Sequence, residues 1–116
     1  MKTDYTYRAF CHSCYDGDTF TMTIDLGFNV QVTEKIRLFG VDTPEIRGDE
    51  RERGLLVRDY VRSAISGKFV TIKTHKDKKG KYGRYLAELI FENSAGVKVD
   101  LAEDLLSRDF AEKVNY

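Results

Sequence analysis

The fold is decided by the stretch Arg37-Leu38-Phe39-Gly40-Val41-Asp42-Thr43-Pro44-Glu45. Leu38, Phe39 and Val41 supply the apolar and aromatic side chains that are typical of a buried strand. Pro44 has no N–H to donate, so it ends the ladder of hydrogen bonds and keeps Thr43 out of helical geometry. The strand therefore delivers an arginine and then turns into a loop with two carboxylates. This combination is suited to a bound cation and a phosphate.

The segments on either side of this stretch predict a β-rich protein. Alternating patterns and short apolar runs predict strands at Tyr7–Tyr15, Thr19–Asp25, Asn29–Val32, Lys35–Val41, Phe69–Thr74, Tyr85–Phe91 and Val97–Val99. The turn at Leu26-Gly27 joins the second strand to the returning chain in a long hairpin or meander. We interpret residues His75–Arg84 as a basic, glycine-containing loop between two strands.

Helical patterns occur at two places between and after these strands. Asp49 and, three residues later, Glu52 predict a capping box at the start of a helix. The apolar residues that follow recur at helical spacing as far as Ser66-Gly67, a typical C-terminal stop. Leu101–Ser107 predicts a short C-terminal helix. Five strands with one helix between the third and fourth predict an α+β, predominantly β fold, a five-stranded Greek-key barrel of the OB type.

Length and composition fit one compact domain over residues 1–116. Hydrophobic residues make up 41% of the chain, which is enough to fill a core. No apolar run approaches the ~18 residues that a membrane helix needs, and no signal-peptide pattern follows Met1. We therefore expect a location in the cytoplasm with no contact to the membrane. We also expect a monomer.

Charge is distributed unevenly although the formal net charge is zero. Residues 35–84 contain fourteen basic and seven acidic side chains, whereas residues 1–34 and 85–116 carry net charges of −3 and −4. The neutral total argues mildly against nucleic-acid binding through bulk charge, but the basic middle segment would steer a polyanion to one face. A solvated helix face together with a charged loop is the alternative interpretation.

A second acidic cluster, Asp16-Gly17-Asp18-Thr19, precedes the strand that turns back toward Arg37. Gly17 permits a bulge or tight turn, so both carboxylates can occupy one spot. Alone, the motif is more typical of an ordinary turn. If it lies beside Asp42 and Glu45, up to four carboxylates meet. Two such charges repel by roughly 4 kcal/mol at about 4 Å and an effective dielectric of ~20, so protons or a cation must relieve them. Oxygen-only ligands favour Ca²⁺ or Mg²⁺ over zinc.

A third element, the segment from Lys76 to Arg84, is rich in lysine and glycine. A solvated hairpin loop is one interpretation. The other is a phosphate-binding loop in which Tyr82 is available to stack on a base or sugar. Arg84 lies where the loop re-enters a strand. Arg37 and Arg84 would then clamp one phosphate from two sides, with planar guanidinium groups that lysine cannot mimic.

Taken together, the three motifs resemble those of the staphylococcal nuclease (thermonuclease-like) family. They are Asp16-Gly17-Asp18-Thr19, Arg37 five residues before Asp42-Thr43-Pro44-Glu45, and Lys81-Tyr82-Gly83-Arg84. Their order and most of their spacings match, and the resemblance runs from about Tyr7 to Tyr116. It implies an OB-type barrel with helices that cleaves DNA and RNA phosphodiesters with Ca²⁺ and leaves 3′-phosphates.

The resemblance also implies a set of cation ligands. Asp18, Asp42 and the backbone carbonyl of Thr43 would bind Ca²⁺. Asp16 would lie next to these ligands without being one of them, and Glu45 would be nearby through water.

The remaining implied roles concern water and substrate. Glu45 would orient or deprotonate the attacking water, and Arg37 and Arg84 would bind the scissile phosphate. The positions that resemble nucleotide contacts are Lys81, Tyr82 and Tyr116.

The sequence therefore predicts a Ca²⁺-dependent nuclease that does not discriminate between sugars. Attack of water on a phosphodiester builds charge on phosphate oxygens, which a cation and two arginines stabilise while a carboxylate positions the water. The alternative is an OB-fold module that binds nucleic acid without catalysis. A purely structural domain would leave the acidic cluster unexplained. A module that only binds nucleic acid would be expected to lose the acids or the arginines. The enzyme is favoured because this chain contains all five residues, Asp18, Arg37, Asp42, Glu45 and Arg84.

The motif Cys11-His12-Ser13-Cys14 suggests a redox or metal site, but its spacing argues against one. On a regular strand residues i and i+3 face opposite sides with Cα atoms roughly 10 Å apart. That distance exceeds the ~7 Å limit for a disulfide. No second cysteine pair is available for a zinc site, and no helix follows as in thioredoxin-type motifs. We therefore expect two structural cysteines, with His12 and His75 at the surface.

Overall fold

The structure, a computed structural model, describes residues 5–79 and 84–114, with residues 76–79 described by their backbone alone. The strands are β1 Thr6–Cys14, β2 Thr19–Asp25, β3 Gln31–Leu38, β4 Val41–Asp42, β5 Phe69–Lys79, β6 Tyr85–Glu92, β7 Lys98–Asp100 and β8 Glu112–Lys113. A 3₁₀ turn at Gly48–Glu50 runs directly into helix α1, Arg51–Ile65, and helix α2 is Leu101–Ser107. None of the described helices is long and apolar enough to cross a membrane.

Five strands close into a barrel. Their order is β3-β2-β1-β5-β6, each pair antiparallel, and β3 also pairs in parallel with β6. That last pairing closes the sheet on itself, while β7 extends it beside β6. Helix α1 falls between the third and fourth barrel strands, and α2 follows β7. The predicted OB-type barrel with one inserted helix and a short C-terminal helix is confirmed.

Helix α1 is fixed against the barrel by its apolar face. Val57, Val61 and Ile65 are fully buried, and their spacing of four residues places them on one side of the helix. They join a core to which β2 contributes Phe20 and Met22. Burying each side chain of this kind stabilises the folded protein by about 1.5–3 kcal/mol. The helix is therefore held firmly against the barrel.

Several predicted boundaries differ from the structure. One strand, Gln31–Leu38, pairs with β2 without interruption, so the predicted break between Asn29–Val32 and Lys35–Val41 is wrong. Helix α1 has Glu50 at its N-cap with no side-chain capping bond, so the predicted capping box at Asp49 is wrong because the 3₁₀ turn already contains that residue. Strand β5 extends past Thr74 because, after a shift in register, it pairs with β6 again at Lys79 opposite Tyr85. The first residues of the predicted basic loop are therefore strand.

A short strand pair fixes the end of the stretch that decides the fold. Gly40, with a φ of 88°, separates β3 from the two-residue strand β4. β4 pairs antiparallel with β8, with Val41 opposite Lys113, although no strand is predicted from the sequence after Leu101–Ser107. The N–H of Val114 also donates to the carbonyl of Gly40 at 2.9 Å. The segment after α2 thus holds the loop that follows β4.

A β-bulge in β1 corrects the prediction for the cysteines. The pairing of β1 with β2 shifts register between Cys11 and Ser13, which places an extra residue between the two cysteines. Cys11 and Cys14 are consequently both buried, with Sγ atoms 3.9 Å apart. The expectation that they face opposite sides is wrong because it assumes a regular strand. His12 is exposed as predicted, whereas His75 is partly buried in a stack on Phe39.

Candidate nuclease site

An open cleft of about 1130 Å³ brings most of the predicted site residues together. It is lined by Asp16, Asp18, Arg37, Asp42, Thr43, Glu45 and Arg84, among others. These residues come from the turn before β2, the ends of β3 and β4, the loop after β4 and the start of β6. The predicted nucleotide contacts Lys81, Tyr82 and Tyr116 lie outside the described residues.

Arg37 is the centre of the site. Its side chain is only 14% exposed, its guanidinium contacts Asp42, and its Nη2 lies 3.5 Å from Oδ2 of Asp18. Nη1 also donates to the carbonyl of Val41 at 3.3 Å. The chain can make these contacts because the turn at Gly40 returns β4 beside the end of β3. Arg37 is therefore held in place by two carboxylates and by backbone.

Asp18 connects the turn before β2 to the loop after β4. It is 6% exposed, and its Oδ2 accepts the N–H of Thr43 at 3.0 Å. Its Oδ1 accepts the hydroxyl of Thr19 at 3.3 Å. The Oγ1 atom of Thr43 is buried and has no hydrogen-bond partner within the described part of the chain. Thr43 therefore donates its N–H to Asp18 while its hydroxyl oxygen lacks, within the described residues, the partner that buried polar atoms normally have.

Arg84 joins the same network through Thr19. Its Nη1 donates to Oγ1 of Thr19 at 2.9 Å, and that hydroxyl lies 3.3 Å from Asp18. The register of the parallel pair, with Arg37 opposite Leu86, explains how residues 37 and 84 reach one side of the barrel. The two predicted arginines therefore meet around one buried aspartate.

Gly17 is required by lack of space. A Cβ at this position would lie 2.7 Å from Cγ1 of Val57 and 2.9 Å from Cγ2 of Thr43. Both neighbours are branched close to the backbone, so they have little freedom to move away. Because Gly17 has no side chain, the turn that contains it packs closely against helix α1 and the loop after β4.

Asp16 is a buried carboxyl beside a second carboxylate. It is 8% exposed, and its Oδ1 accepts the N–H of Asp18 at 3.1 Å. Burial, followed by repulsion from Asp18, raises the pKa of Asp16 to about 7. Near neutral pH the Asp16 carboxyl therefore binds a proton more readily than an exposed aspartate does.

Replacing Asp16 by asparagine is expected to stabilise the cation-free protein at pH 8. Between the ordinary pKa of 3.8 and about 7 the folded chain keeps a proton that the unfolded chain has released, so wild-type stability falls as pH rises through that window. At 1.36 kcal/mol per pKa unit the gain reaches at most about 4 kcal/mol at pH 8 and vanishes near pH 4. Urea unfolding in EDTA at both pH values measures the difference.

The control for this substitution is Asp25→Asn. Asp25 is exposed and makes the same type of turn contact, accepting the N–H of Gly27 at 2.8 Å. It should show no comparable gain at pH 8. An Asp16→Asn protein with the same stability as wild type at both pH values would contradict the assigned pKa.

Glu45 is placed by the packing of helix α1. Its side chain is exposed and lines the cleft, and its N–H donates to Oε2 of Glu50 at 3.3 Å. A Cβ on Gly54 would lie 2.1 Å from the carbonyl oxygen of Glu45 and 2.9 Å from the nitrogen of Ile46. The backbone of the Glu45 loop therefore rests directly on the helix, where only glycine fits.

The acidic residues share the cleft without converging on one point. Among residues 5–79 and 84–114, no group of three or more His, Cys, Asp or Glu side chains is arranged to hold a metal ion. Asp18 and Asp42 both contact the same nitrogen atom, Nη2 of Arg37. The arrangement offers two carboxylates and the oxygens of Thr43, all of them hard donors.

Two further residues that the sequence reasoning missed also line the cleft. Nη2 of Arg47 donates to the hydroxyl of Tyr15 at 2.9 Å, and Tyr15 is 51% exposed. Their positions next to Asp16 and Glu45 are a signal that could have found them. An exposed tyrosine held by an arginine at the rim of the cleft is chemically suited to stack on a base or sugar.

Comparison with known proteins identifies the family of this chain. Residues 35–115 match the family model described as "Staphylococcal nuclease homologue". The chain belongs to the staphylococcal nuclease family. The resemblance predicted from three motifs is thereby confirmed, and Arg37, Asp42, Thr43, Glu45 and Arg84 all fall inside the matched range.

Among curated proteins, the chain is similar to "Endonuclease YhcR" of Bacillus subtilis (strain 168). The two share 32% identity over an alignment of 107 residues, and the match covers 84% of this chain and 8% of YhcR. This staphylococcal nuclease homologue therefore spans a small part of the length of its relative.

Proposed function

We propose that this chain hydrolyses the phosphodiester bonds of DNA and RNA by attack of water on phosphorus. The observation that carries the proposal is the meeting of Arg37 and Arg84 around Asp18, in a cleft where Glu45 is exposed. Membership of the staphylococcal nuclease family and the similarity to a protein named as an endonuclease support the same activity. We propose a monomer as the active form, since one chain supplies every residue named.

The two arginines bind the phosphate and stabilise its developing charge. Arg37 is held by Asp18, Asp42 and a backbone carbonyl before any substrate arrives, so it needs little reorganisation during the reaction. Arg84 approaches from the start of β6, and planar guanidinium groups suit the paired oxygens of a phosphodiester. Negative charge that builds on these oxygens therefore meets fixed positive charge on two sides.

Glu45 orients the attacking water and receives its proton. Its exposed carboxylate lines the cleft, and its backbone packs against α1, so the backbone that carries the carboxylate has little freedom to move. The water oxygen bonds to phosphorus, the bond from phosphorus to the 5′-oxygen breaks, and the departing oxygen takes up a proton. The products would be a 3′-phosphate and a 5′-hydroxyl.

Ca²⁺ is the cofactor that we propose for this site. Asp18, Asp42 and the carbonyl of Thr43 would hold it, with Asp16 alongside. These oxygen donors fit a hard cation, and the buried Thr43 hydroxyl that lacks a partner within the described residues adds a further oxygen nearby. When bound, the cation would supply positive charge to the phosphate oxygens and favour deprotonation of water. Nucleotide contacts by Lys81, Tyr82 and Tyr116, and a cytoplasmic location, stay predictions of the sequence.

Digestion of single-stranded DNA and RNA tests the proposal. We expect wild type to cleave both in Ca²⁺ and neither in EDTA, with less or no cleavage in Mg²⁺. Glu45→Gln should lower kcat by about 10²–10⁴-fold because it removes the general base. Glu92→Gln, at the exposed end of β6 and outside the cleft, is the matched control. A folded wild type that binds nucleic acid but cleaves neither polymer would instead establish a non-catalytic OB module.

Arg47→Ala is expected to raise KM about tenfold with little change in kcat. We assign Arg47 to a phosphate next to the scissile one, and a charge-assisted hydrogen bond of this kind contributes about 1.5–3 kcal/mol. Tyr15→Phe, which removes only the hydroxyl that holds Arg47, should change KM in the same direction by less. Steady-state cleavage of a short oligonucleotide measures both constants.

The control for Arg47 is Arg58→Ala, because Arg58 pairs with Asp59 on α1 outside the cleft. It should leave KM as in wild type. A fall in kcat without a rise in KM for Arg47→Ala would contradict a role in binding.

A further inference from the structure

The proposed phosphodiester chemistry makes no use of the two cysteines at the end of β1. Cys11 and Cys14 are fully buried, and their Sγ atoms are 3.9 Å apart. On a regular strand the same two residues would face opposite sides, and it is the bulge between Cys11 and Ser13 that brings them together. We propose that Cys11 and Cys14 form a reversible disulfide with peroxides as the oxidant, which makes the end of β1 a redox modification site.

The backbone keeps the two sulfurs in contact. The N–H of Cys11 donates to Lys68 at 3.0 Å, and its carbonyl accepts from Gly67 at 2.8 Å. The carbonyl of Cys14 accepts from Nε of Arg62 at 3.1 Å. Both cysteines are therefore anchored to the end of α1 and the turn that follows it. A disulfide requires the sulfurs to approach by roughly 2 Å, to a separation of about 2.05 Å.

The two thiols have different chemical roles in the oxidation. The hydrogen bond between the two thiols lowers the pKa of Cys11, and the same contact together with burial raises the pKa of Cys14. Cys11 is thus the sulfur that attacks first. Its thiolate attacks one oxygen of hydrogen peroxide, the O–O bond breaks, and Cys11 becomes a sulfenic acid as one water leaves. The sulfur of Cys14 then attacks the Cys11 sulfur and displaces a second water. Two thiols lose their hydrogens, and the peroxide is reduced to water.

A metal site is a poorer fit for this pair. A structural zinc site needs four ligands, and no group of three or more His, Cys, Asp or Glu side chains is arranged around a metal position in residues 5–79 and 84–114. Two thiols in contact, with no group of three metal ligands formed among the described residues, suit a disulfide better.

The modification would affect a segment that leads into the cleft. Cys14 directly precedes Tyr15, whose N–H donates to the carbonyl of Thr19 at 2.9 Å and so closes the turn that contains Asp16 and Asp18. A covalent link between Cys11 and Cys14 would fix the end of β1 at the entrance to this turn. Because a disulfide restricts the unfolded chain, we expect the oxidised protein to unfold at a higher temperature than the reduced protein.

The test is oxidation of the reduced, folded protein with hydrogen peroxide. The reaction is quenched by an alkylating reagent in denaturant and analysed by intact mass and non-reducing electrophoresis. We expect both alkylatable thiols to disappear together, with loss of two hydrogens, no added oxygen and no dimer, and dithiothreitol should restore both. In Cys11→Ser and Cys14→Ser the remaining thiol should instead gain oxygen or form dimers.

Two results would overturn the proposal. One is that both thiols of the folded wild type stay alkylatable under conditions that fully oxidise the urea-unfolded chain. The other is accumulation of a sulfinic acid on one cysteine while its neighbour stays a free thiol. Neither readout depends on nuclease activity, so this inference and the proposed function can fail separately.

Discussion

Replacing Arg37 by lysine is expected to lower kcat/KM for DNA cleavage by about 10²–10³-fold, the usual effect of losing one preorganised donor at a reacting oxyanion. Lysine keeps the positive charge but offers a single ammonium group. That group cannot contact Asp18, Asp42 and the carbonyl of Val41 and still present a planar pair of donors to phosphate. Steady-state cleavage at a fixed, saturating Ca²⁺ concentration measures the change.

The control for this substitution is Arg51→Lys, at the exposed first residue of α1 and outside the cleft. It makes the same chemical change and should leave cleavage as in wild type. Circular dichroism on both variants checks that the barrel is intact. If Arg37→Lys lowered kcat/KM no more than Arg51→Lys, a role in stabilising the phosphate would be refuted.

Gly54→Ala is expected to destabilise the protein by about 3 kcal/mol or more and to lower cleavage as well. Helix propensity alone predicts the opposite sign, a gain of about 1 kcal/mol for alanine over glycine inside a helix. The new Cβ would lie 2.1 Å from the carbonyl oxygen of Glu45, and backbone cannot rotate away as a long side chain does. Either α1 or the loop after β4 must move, and movement of that loop would shift Glu45 in the cleft.

Urea unfolding of Gly54→Ala measures the net change in the free energy of unfolding. A reference pair of variants then separates the cost of the clash from the gain in helix propensity. The pair Ser63→Gly and Ser63→Ala, at an exposed position of the same helix, gives the propensity difference without a clash. Cleavage is then measured at a low temperature where Gly54→Ala is folded. A variant more stable than wild type by the Ser63 difference would show that the loop accommodates the extra methyl group at no cost.

The barrel could be predicted from sequence because its elements have strong local patterns. Alternation over Thr19–Asp25 and the helical spacing before Ser66 each report directly which face of an element is buried. The extent of β5 was less predictable because it depends on pairing with β6, which local composition does not encode.

The site was predicted as a set of residues more successfully than as a geometry. Motif matching named Asp18, Arg37 and Arg84, but it could not show that Thr19 connects Asp18 to Arg84 or that Arg37 contacts both Asp18 and Asp42. Those contacts depend on the register of β3 against β2 and β6, a tertiary property. The bulge between the cysteines was missed for the same reason, since one extra residue in a strand leaves no mark on composition.

The pairing of β4 with β8 has a consequence for the order in which the barrel and the cleft form during folding. Val41 and Lys113 are partners although some seventy residues of chain lie between them, and β4 and β8 form a separate sheet of two strands with two residues each, so few hydrogen bonds offset the entropic cost of closing that loop. The barrel strands can pair before that contact exists, whereas the position of Asp42 depends on it. A newly made or partly unfolded chain would thus be a formed barrel with an unformed reaction centre. Catalytic capacity would appear last in folding and disappear first under stress.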